Sequence, residues 1–163
     1  MSLDLWLKTG AIFSECRRYR YVLWRIWGDP ENCCMFIGLN SSRAGEITND
    51  PTVRRCMGFS RDLGFDGLYM LNLFAFRATD PRVMKIAYDP IGPDNDKWIQ
   101  EYSCKAKMVI GAWGVNGGFL QRDKQVLEIL GDVHCLGITK HGYLRHPLYL
   151  KKELKPIMFQ RRN

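Results

Sequence analysis

Cys33-Cys34-Met35-Phe36-Ile37-Gly38-Leu39-Asn40-Ser41-Ser42-Arg43-Ala44 is an apolar run that passes directly into a polar turn. Its lack of alternation predicts a central strand covered on both faces. Gly38 permits close backbone approach. Asn40-Ser41-Ser42 place an amide and two hydroxyls at the strand's carboxyl end, where open α/β sheets bind ligands. The competing reading is that these groups only satisfy the backbone of a turn.

Upstream, Ala11-Ile12-Phe13 and residues 19–27 are rich in aromatic and β-branched side chains, and residues 14–18 lie between them. This predicts a β-hairpin over residues 10–27, at the edge of the sheet. Downstream, Asp50 is placed as an N-cap and Pro51 at the first helical position. Val53, Cys56, Met57 and Leu63 form the apolar stripe of that helix, and Gly64 ends it. Residues 67–74 repeat the pattern of a buried strand with a polar end, here Asn72 followed by Arg77, Thr79 and Asp80. A short helix is expected from Asp80-Pro81 through Ala87. A longer one, capped by Asp94 or Asn95, carries Trp98, Ile99 and Tyr102. Further core strands are expected over 107–113 and 133–138, with a helix through Leu130 between them. His146-Pro147-Leu148-Tyr149-Leu150 is expected to close the core. Strands alternating with helices imply βαβ units, hence a three-layer α/β/α sandwich with a mainly parallel central sheet.

The 163 residues, 46% hydrophobic and 25% charged, suit a single α/β domain over 1–163. No apolar segment approaches a membrane span and no signal peptide precedes the first strand, so no membrane partner is expected. Cys16, Cys33, Cys34, Cys56, Cys104 and Cys135 contain no C-x-x-C pair. They read as buried free thiols in a reducing, cytoplasmic compartment. The net charge of +7 favours an anionic partner, DNA or a nucleotide. Arg17, Arg18, Arg20 and Arg25 at one end, and Lys151, Lys152, Lys155, Arg161 and Arg162 at the other, are the candidate footprint. Solvated faces with no partner are the alternative.

No metal and no cofactor is expected. His134 and Cys135 are consecutive on a strand and point to opposite faces, and His141 and His146 lack zinc-finger spacing. There is no G-x-S-x-G elbow. Gly114-Val115-Asn116-Gly117-Gly118 follows a strand and can aim backbone N–H groups at a phosphate, yet it matches neither G-x-G-x-x-G nor the P-loop. A plain tight turn is the favoured reading. His146 stands before Pro147, which holds its backbone extended. That suits a side chain that must meet charge at a fixed point, and a structural histidine fits the spacing equally well.

Assembled, these segments resemble the domain of unknown function 1643 family. The resemblance rests on Gly38-Leu39-Asn40, Asp50-Pro51-Thr52-Val53-Arg54-Arg55-Cys56, residues 72–81, residues 89–96, Trp113-Gly114 and residues 145–150. Members of that family usually carry Pro after the Asn. Ser41 stands there in this chain, which predicts a differently shaped turn. The motif order is also similar, more distantly, to the uracil-DNA glycosylase superfamily, some branches of which carry Gly-x-Asn-Pro after the first core strand and a late His-Pro. That resemblance implies that Asn40 positions the attacking water and His146 stabilises the departing base, as the catalytic pair. Gly38, Ser41, Ser42, Asn72, Phe74, Arg77, Trp113, Gly114 and Arg145 are then the candidate ligand-binding residues, with Phe74 or Trp113 stacking on the base. The expected activity is hydrolysis of an N-glycosidic bond in DNA. The alternatives are a non-catalytic nucleotide or nucleic-acid binding module, and an enzyme of a free nucleotide that holds its phosphate through Arg77 or the Gly114–Gly118 turn.

Overall fold

The computed structural model describes residues 7–160. Met1-Ser2-Leu3 and the basic Arg161 and Arg162 lie outside the described residues. Strands β1 (Lys8–Phe13), β2 (Arg20–Ile26), β3 (Cys33–Asn40), β4 (Gly67–Phe74), β5 (Met108–Gly111), β6 (His134–Cys135) and β7 (Ile157–Met158) form one sheet in the order β1-β2-β4-β3-β5-β6-β7. Helices α1 (Pro51–Asp62), α2 (Pro81–Lys85), α3 (Asn95–Lys105) and α4 (Arg122–Ile129) connect the later strands. The protein is a mixed α/β fold.

The predicted hairpin forms and β1 is an edge strand. The expectation of a mainly parallel sheet needs correction. β3 runs parallel to β4 and β5, and β5 parallel to β6, but β1–β2, β2–β4 and β6–β7 are antiparallel. A hairpin that docks through β2 on the side of β4 away from β3 accounts for two of the antiparallel ladders, and the returning C-terminal segment adds the third.

β3 is as buried as its composition requires, with residues Cys33 to Ile37 fully inaccessible. Its alternate side chains enter two different clusters. Cys33, Met35, Ile37 and Leu39 pack with Ile99 of α3 and Val126 of α4, whereas Cys34 and Phe36 pack with Val53, Cys56 and Met57 of α1. The chain passes from β3 to β4 on one side and then crosses to β5 on the other. The carboxyl end of β3 is therefore a point where strand order reverses, and a crevice opens there.

Helix α1 begins as the sequence predicts. The carboxylate of Asp50 accepts from the backbone N–H of Val53 at 2.8 Å, Pro51 follows, and Gly64 after the last turn has φ +86°. At α3 the expectation holds only in position. Asp94 is the N-cap but makes no side-chain capping bond. Asn95 instead turns inward and donates to the carbonyls of Asn72 and Leu73 at 2.9 and 3.0 Å. Arg122, also buried, donates to Leu73 and pairs with Asp96, so α3 and α4 are both tied to the carboxyl end of β4.

Three expectations late in the chain are corrected. The predicted helix to Leu130 is broken: a 3-10 segment over Val115–Gln121 precedes α4, with Leu120 and Gln121 at φ +56° and +53°. The fourth core strand shrinks to two residues, because the chain turns at Gly137 (φ +134°) and Ile138 bridges back to Leu144. Residues 146–150 do not close the core as a unit. Pro147 is buried, whereas Tyr149 is fully exposed at φ +69°.

Candidate functional site

The crevice at the end of β3 is a cleft of about 440 Å³. Its floor is the end of β3, with Gly38, Leu39 and Asn40, flanked by Met70 and Asn72 of β4. Asp50 to Val53, at the start of α1, form one wall, and residues 113–116 with His146 and Leu148 form another. Of the eleven candidate residues from the sequence, seven line it: Gly38, Asn40, Ser42, Asn72, Trp113, Gly114 and His146. Asn40 and His146, distant in sequence, thus share one cavity.

Asn40 is held in one orientation. Its Nδ2 donates to the carbonyls of Ser41 and Ala78 at 3.0 and 2.6 Å. With both amide hydrogens committed, Oδ1 accepts no hydrogen bond among the described residues and remains free to receive one. His146 is fixed by the opposite logic. The backbone N–H of Leu148 donates to Nδ1 at 3.2 Å, so Nδ1 is the unprotonated nitrogen and Nε2 carries the hydrogen. Burial pushes the imidazole below its ordinary value of 6.5, and the Asp50 carboxylate pulls it the other way. The neutral form, a donor through Nε2, therefore prevails at neutral pH. An NMR titration should place His146 below 6.5, and Asp50→Asn should lower it further by removing the opposing pull. A value at or above 6.5 would refute the effect of burial.

Ser41 lies beneath the cleft. Its backbone N–H donates to the carbonyl of Phe74 at 3.2 Å, a bond proline cannot make. Its hydroxyl donates to the carbonyl of Arg20 at 2.8 Å and accepts from Nδ2 of Asn72 at 3.3 Å. Gly38 is required beside this node, since a Cβ there would lie 2.8 Å from both Asn72 Oδ1 and Met70 Cε.

Three other candidates do not reach the cleft. Phe74 is fully buried and packs against Phe119, with ring centroids 5.6 Å apart, so it offers no face to a ligand there. Arg77 lies over the ring of Phe13 at 4.7 Å and donates to the carbonyls of Ser42 and Arg17. Arg145 is exposed and its side chain lies against Gly137. The glycines after Trp113 have packing roles. A Cβ at Gly117 would strike the indole of Trp113, and one at Gly118 would come within 2.7 Å of the Tyr143 hydroxyl.

Sequence reasoning assigned Asp50 to capping alone and Arg20 to a surface footprint. Both line the cleft. Arg20 is 1% exposed; burial lowers its guanidinium to about 10, and the Asp50 carboxylate opposes that fall. Its Nη1 donates to the carbonyl of Ala44 at 2.9 Å, while Nε is buried without a partner among the described residues. Arg25 is also buried, and holds Gly45, Glu46, Thr48 and Asn49 by side-chain hydrogen bonds. The only advance signal was position: arginines in a strand otherwise built of aromatic and β-branched residues must find acceptors inside.

The N-terminal basic footprint is correspondingly reduced. Arg17 pairs with Glu46 at 2.9 Å, and Arg20 and Arg25 are internal, while Lys151, Lys152 and Lys155 are exposed. All six cysteines are free; Cys16 and Cys104 are exposed, against the expectation of burial. Among the described residues, no three His, Cys, Asp or Glu side chains gather as a metal site, and no helix is long and apolar enough to cross a membrane.

The end of β3, the start of α1 and the loop that carries His146 thus bring an amide, a carboxylate and an imidazole to one cleft in an α/β fold. A family model described as Protein of unknown function (DUF1643) matches residues 20–148, a span that contains every residue lining the cleft. The chain belongs to that family. No curated protein and no solved structure matches it. The likeness to uracil-DNA glycosylases has no counterpart among these matches and stands on the motifs alone.

Proposed function

We propose that this protein is a DNA glycosylase-like hydrolase that cleaves the N-glycosidic bond of a nucleobase in DNA. The observation that carries the reading is the joint placement of Asn40 and His146 on one cleft, each with its free atom suited to its role. Glycosidic cleavage develops positive charge on the sugar and negative charge on the base. A fixed acceptor can orient a water, and a fixed neutral donor can meet the base oxygen without a change of protonation. Asn40 Oδ1 fills the first role and His146 Nε2–H the second. Gly114 borders the cavity where the base would lie, Trp113 beside it is 1% exposed and offers no open face for stacking, and exposed lysines near the C-terminus supply phosphate contacts. The two clusters separated by the sheet support the sandwich layering that such a fold requires.

The test is release of free base from oligonucleotides carrying uracil, hypoxanthine or another damaged base, in single and double strands. Base release above the spontaneous rate is expected on at least one. Its absence on all of them, with the fold intact, would leave the non-catalytic binding module as the better reading. The free-nucleotide alternative draws less support, because Arg77 is engaged at the surface and the Gly114–Gly118 segment is shaped by packing.

A further inference from the structure

Helix α1 carries a glycine in its interior, Gly58, a residue that weakens a helix relative to alanine. Packing does not require it, since a Cβ there would meet no atom within 4 Å. Gly58 instead lines a notch of about 140 Å³ with Arg54, Arg55, Phe59, Asp62 and Lys152. Arg54, Gly58 and Asp62 stand one turn apart on a single row of the helix, so the missing side chain leaves a gap between the first and the last. The Arg55 guanidinium lies over the ring of Phe59 at 5.1 Å, which holds it beside that gap. Its Nε is buried and finds no acceptor among the described residues. Arg54 donates to the Asn49 carbonyl at 3.3 Å, and neither arginine nor Lys152 forms an ion pair among the described residues. Lys152 comes from the opposite wall. Leu150 and Leu154 pack against the same apolar cluster as α1, and the Leu154 N–H donates to the Lys151 carbonyl at 3.2 Å, so the turn between them stands beside the helix. Pockets that enclose a whole small molecule run to about 300–1,000 Å³. A notch of this size suits a single ionic group. It also continues the cleft. The start of α1 and the segment with His146 and Leu148 wall the cleft, and the next turns of α1 and the next residues of that segment wall the notch.

We propose that this notch binds one backbone phosphate of the DNA strand whose base enters the cleft. The inference rests on the reading of a DNA substrate given above. A phosphodiester in the notch offsets the mutual repulsion of Arg54, Arg55 and Lys152, and its oxygens accept from their open donors. Arg55 has already given up water at Nε, so an anion at its remaining donors gains more than it would from a fully solvated guanidinium. Asp62, at the far end of the row, repels a second phosphate and turns the strand away from the helix there. Thr52 on the cleft wall and Gly58 in the notch lie about 9 Å apart along the helix axis. At roughly 3.4 Å per nucleotide along a strand, that distance spans two or three nucleotides. A phosphate contact fixes register and carries no base preference. The notch therefore positions the strand, and the cleft selects the base.

The test is a binding measurement and needs no turnover. Wild type and variants are titrated with a single-stranded oligonucleotide carrying one tetrahydrofuran abasic residue, over a range of salt concentrations. Gly58→Glu fills the notch and sets a carboxylate against its cations. Nothing lies within 4 Å of the new Cβ, so the melting temperature should not fall. The plot of log K against log salt should be shallower than that of wild type by about 0.7, the loss of one phosphate contact on a single strand. The double variant Arg55→Gln with Lys152→Gln should do the same, and adding Gly58→Glu to it should reduce the slope no further. Lys140→Gln, at an exposed position outside the notch, makes the same charge change as Gly58→Glu and should leave the slope unchanged. Replacing backbone phosphates one at a time with neutral methylphosphonate then locates the contact. One position, roughly two or three nucleotides from the abasic residue, should weaken wild-type binding at least fivefold and leave binding by Gly58→Glu unchanged. The notch proposal is overturned by wild type that shows no salt-dependent binding, by slopes that do not move in Gly58→Glu and the double variant, or by methylphosphonate effects equal in wild type and Gly58→Glu at every position. Absence of base release from every damaged oligonucleotide, with the notch effects intact, refutes the hydrolytic reading instead and leaves the notch as a nucleic-acid phosphate site.

Discussion

Asn40→Ala should lower the turnover number for base release by roughly 10²–10³-fold while leaving KM nearly unchanged, the range seen when one preorganised polar group is removed from a reaction centre. The split follows from geometry. Asn40 Oδ1 is the free end of an amide whose other end is held by the carbonyls of Ser41 and Ala78. In the proposed mechanism it acts on a water, not on the bulk of the substrate, so its loss should be felt mainly in the transition state. The same substitution takes the one side-chain donor from the Ala78 carbonyl, at about 1 kcal/mol at this half-buried position, whereas the Ser41 carbonyl keeps the Ala78 N–H at 2.9 Å. Denaturation midpoints should accordingly fall only modestly. A variant that binds oligonucleotide as wild type does and releases base at the wild-type rate would remove Asn40 from the chemistry. A rise in KM with kcat unchanged would make it a binding residue.

Arg25→Met should be the most destabilising single substitution in the loop that carries Asp50, by about 3 kcal/mol or more. The side chain is fully buried and donates to the carbonyls of Gly10, Trp24, Gly45, Glu46 and Thr48 and to Oδ1 of Asn49. Methionine fills much of the volume and supplies no donor, so several inward-facing carbonyls lose their partner together. Arg25→Lys should recover little, because a single ammonium cannot reproduce a planar fork that serves so many acceptors. Urea unfolding measures the effect. A loss under about 1 kcal/mol would show that the carbonyls find water or other donors, in which case the loop is not held from inside.

Much of the site was legible because its signals are local. An apolar run ending in Gly38-Leu39-Asn40 specifies a buried strand and a polar end, and Asp50-Pro51 specifies a helix start; both form as read. The shared cavity of Asn40 and His146 was legible as an expectation, since parallel strands bring their carboxyl ends to one side of a sheet. The arginines were misread because charge density says nothing about which face of a strand a residue occupies. Arg20 and Arg25 point inward, and the 44–49 loop, folding over them, supplies most of the acceptors that make that burial tolerable. β6 was expected but is shorter than the expected 133–138, and β7 was not expected, for another reason. Two-residue strands carry no periodicity, and β7 exists only because Phe159 and its neighbours meet the free edge of β6. Phe74 was credited to the cleft from its place at a strand end, where alternation would put it with Met70 and Asn72, but at this last residue of β4 the side chain departs from the alternation and packs with Tyr69, Leu71 and Leu73.

The serine at position 41 also fixes the polarity of the cleft. Because its only hydroxyl hydrogen is spent on the Arg20 carbonyl, it can offer Asn72 nothing but a lone pair. The Asn72 amide cannot rotate by half a turn without setting oxygen against oxygen. Its Oδ1 is thereby locked beside Gly38. Together with Asn40 Oδ1, this makes the floor an electron-rich surface. Under the proposed function, a guest would be admitted there by the edge on which its hydrogens lie, so two tautomers of the same heterocycle would not be equivalent visitors.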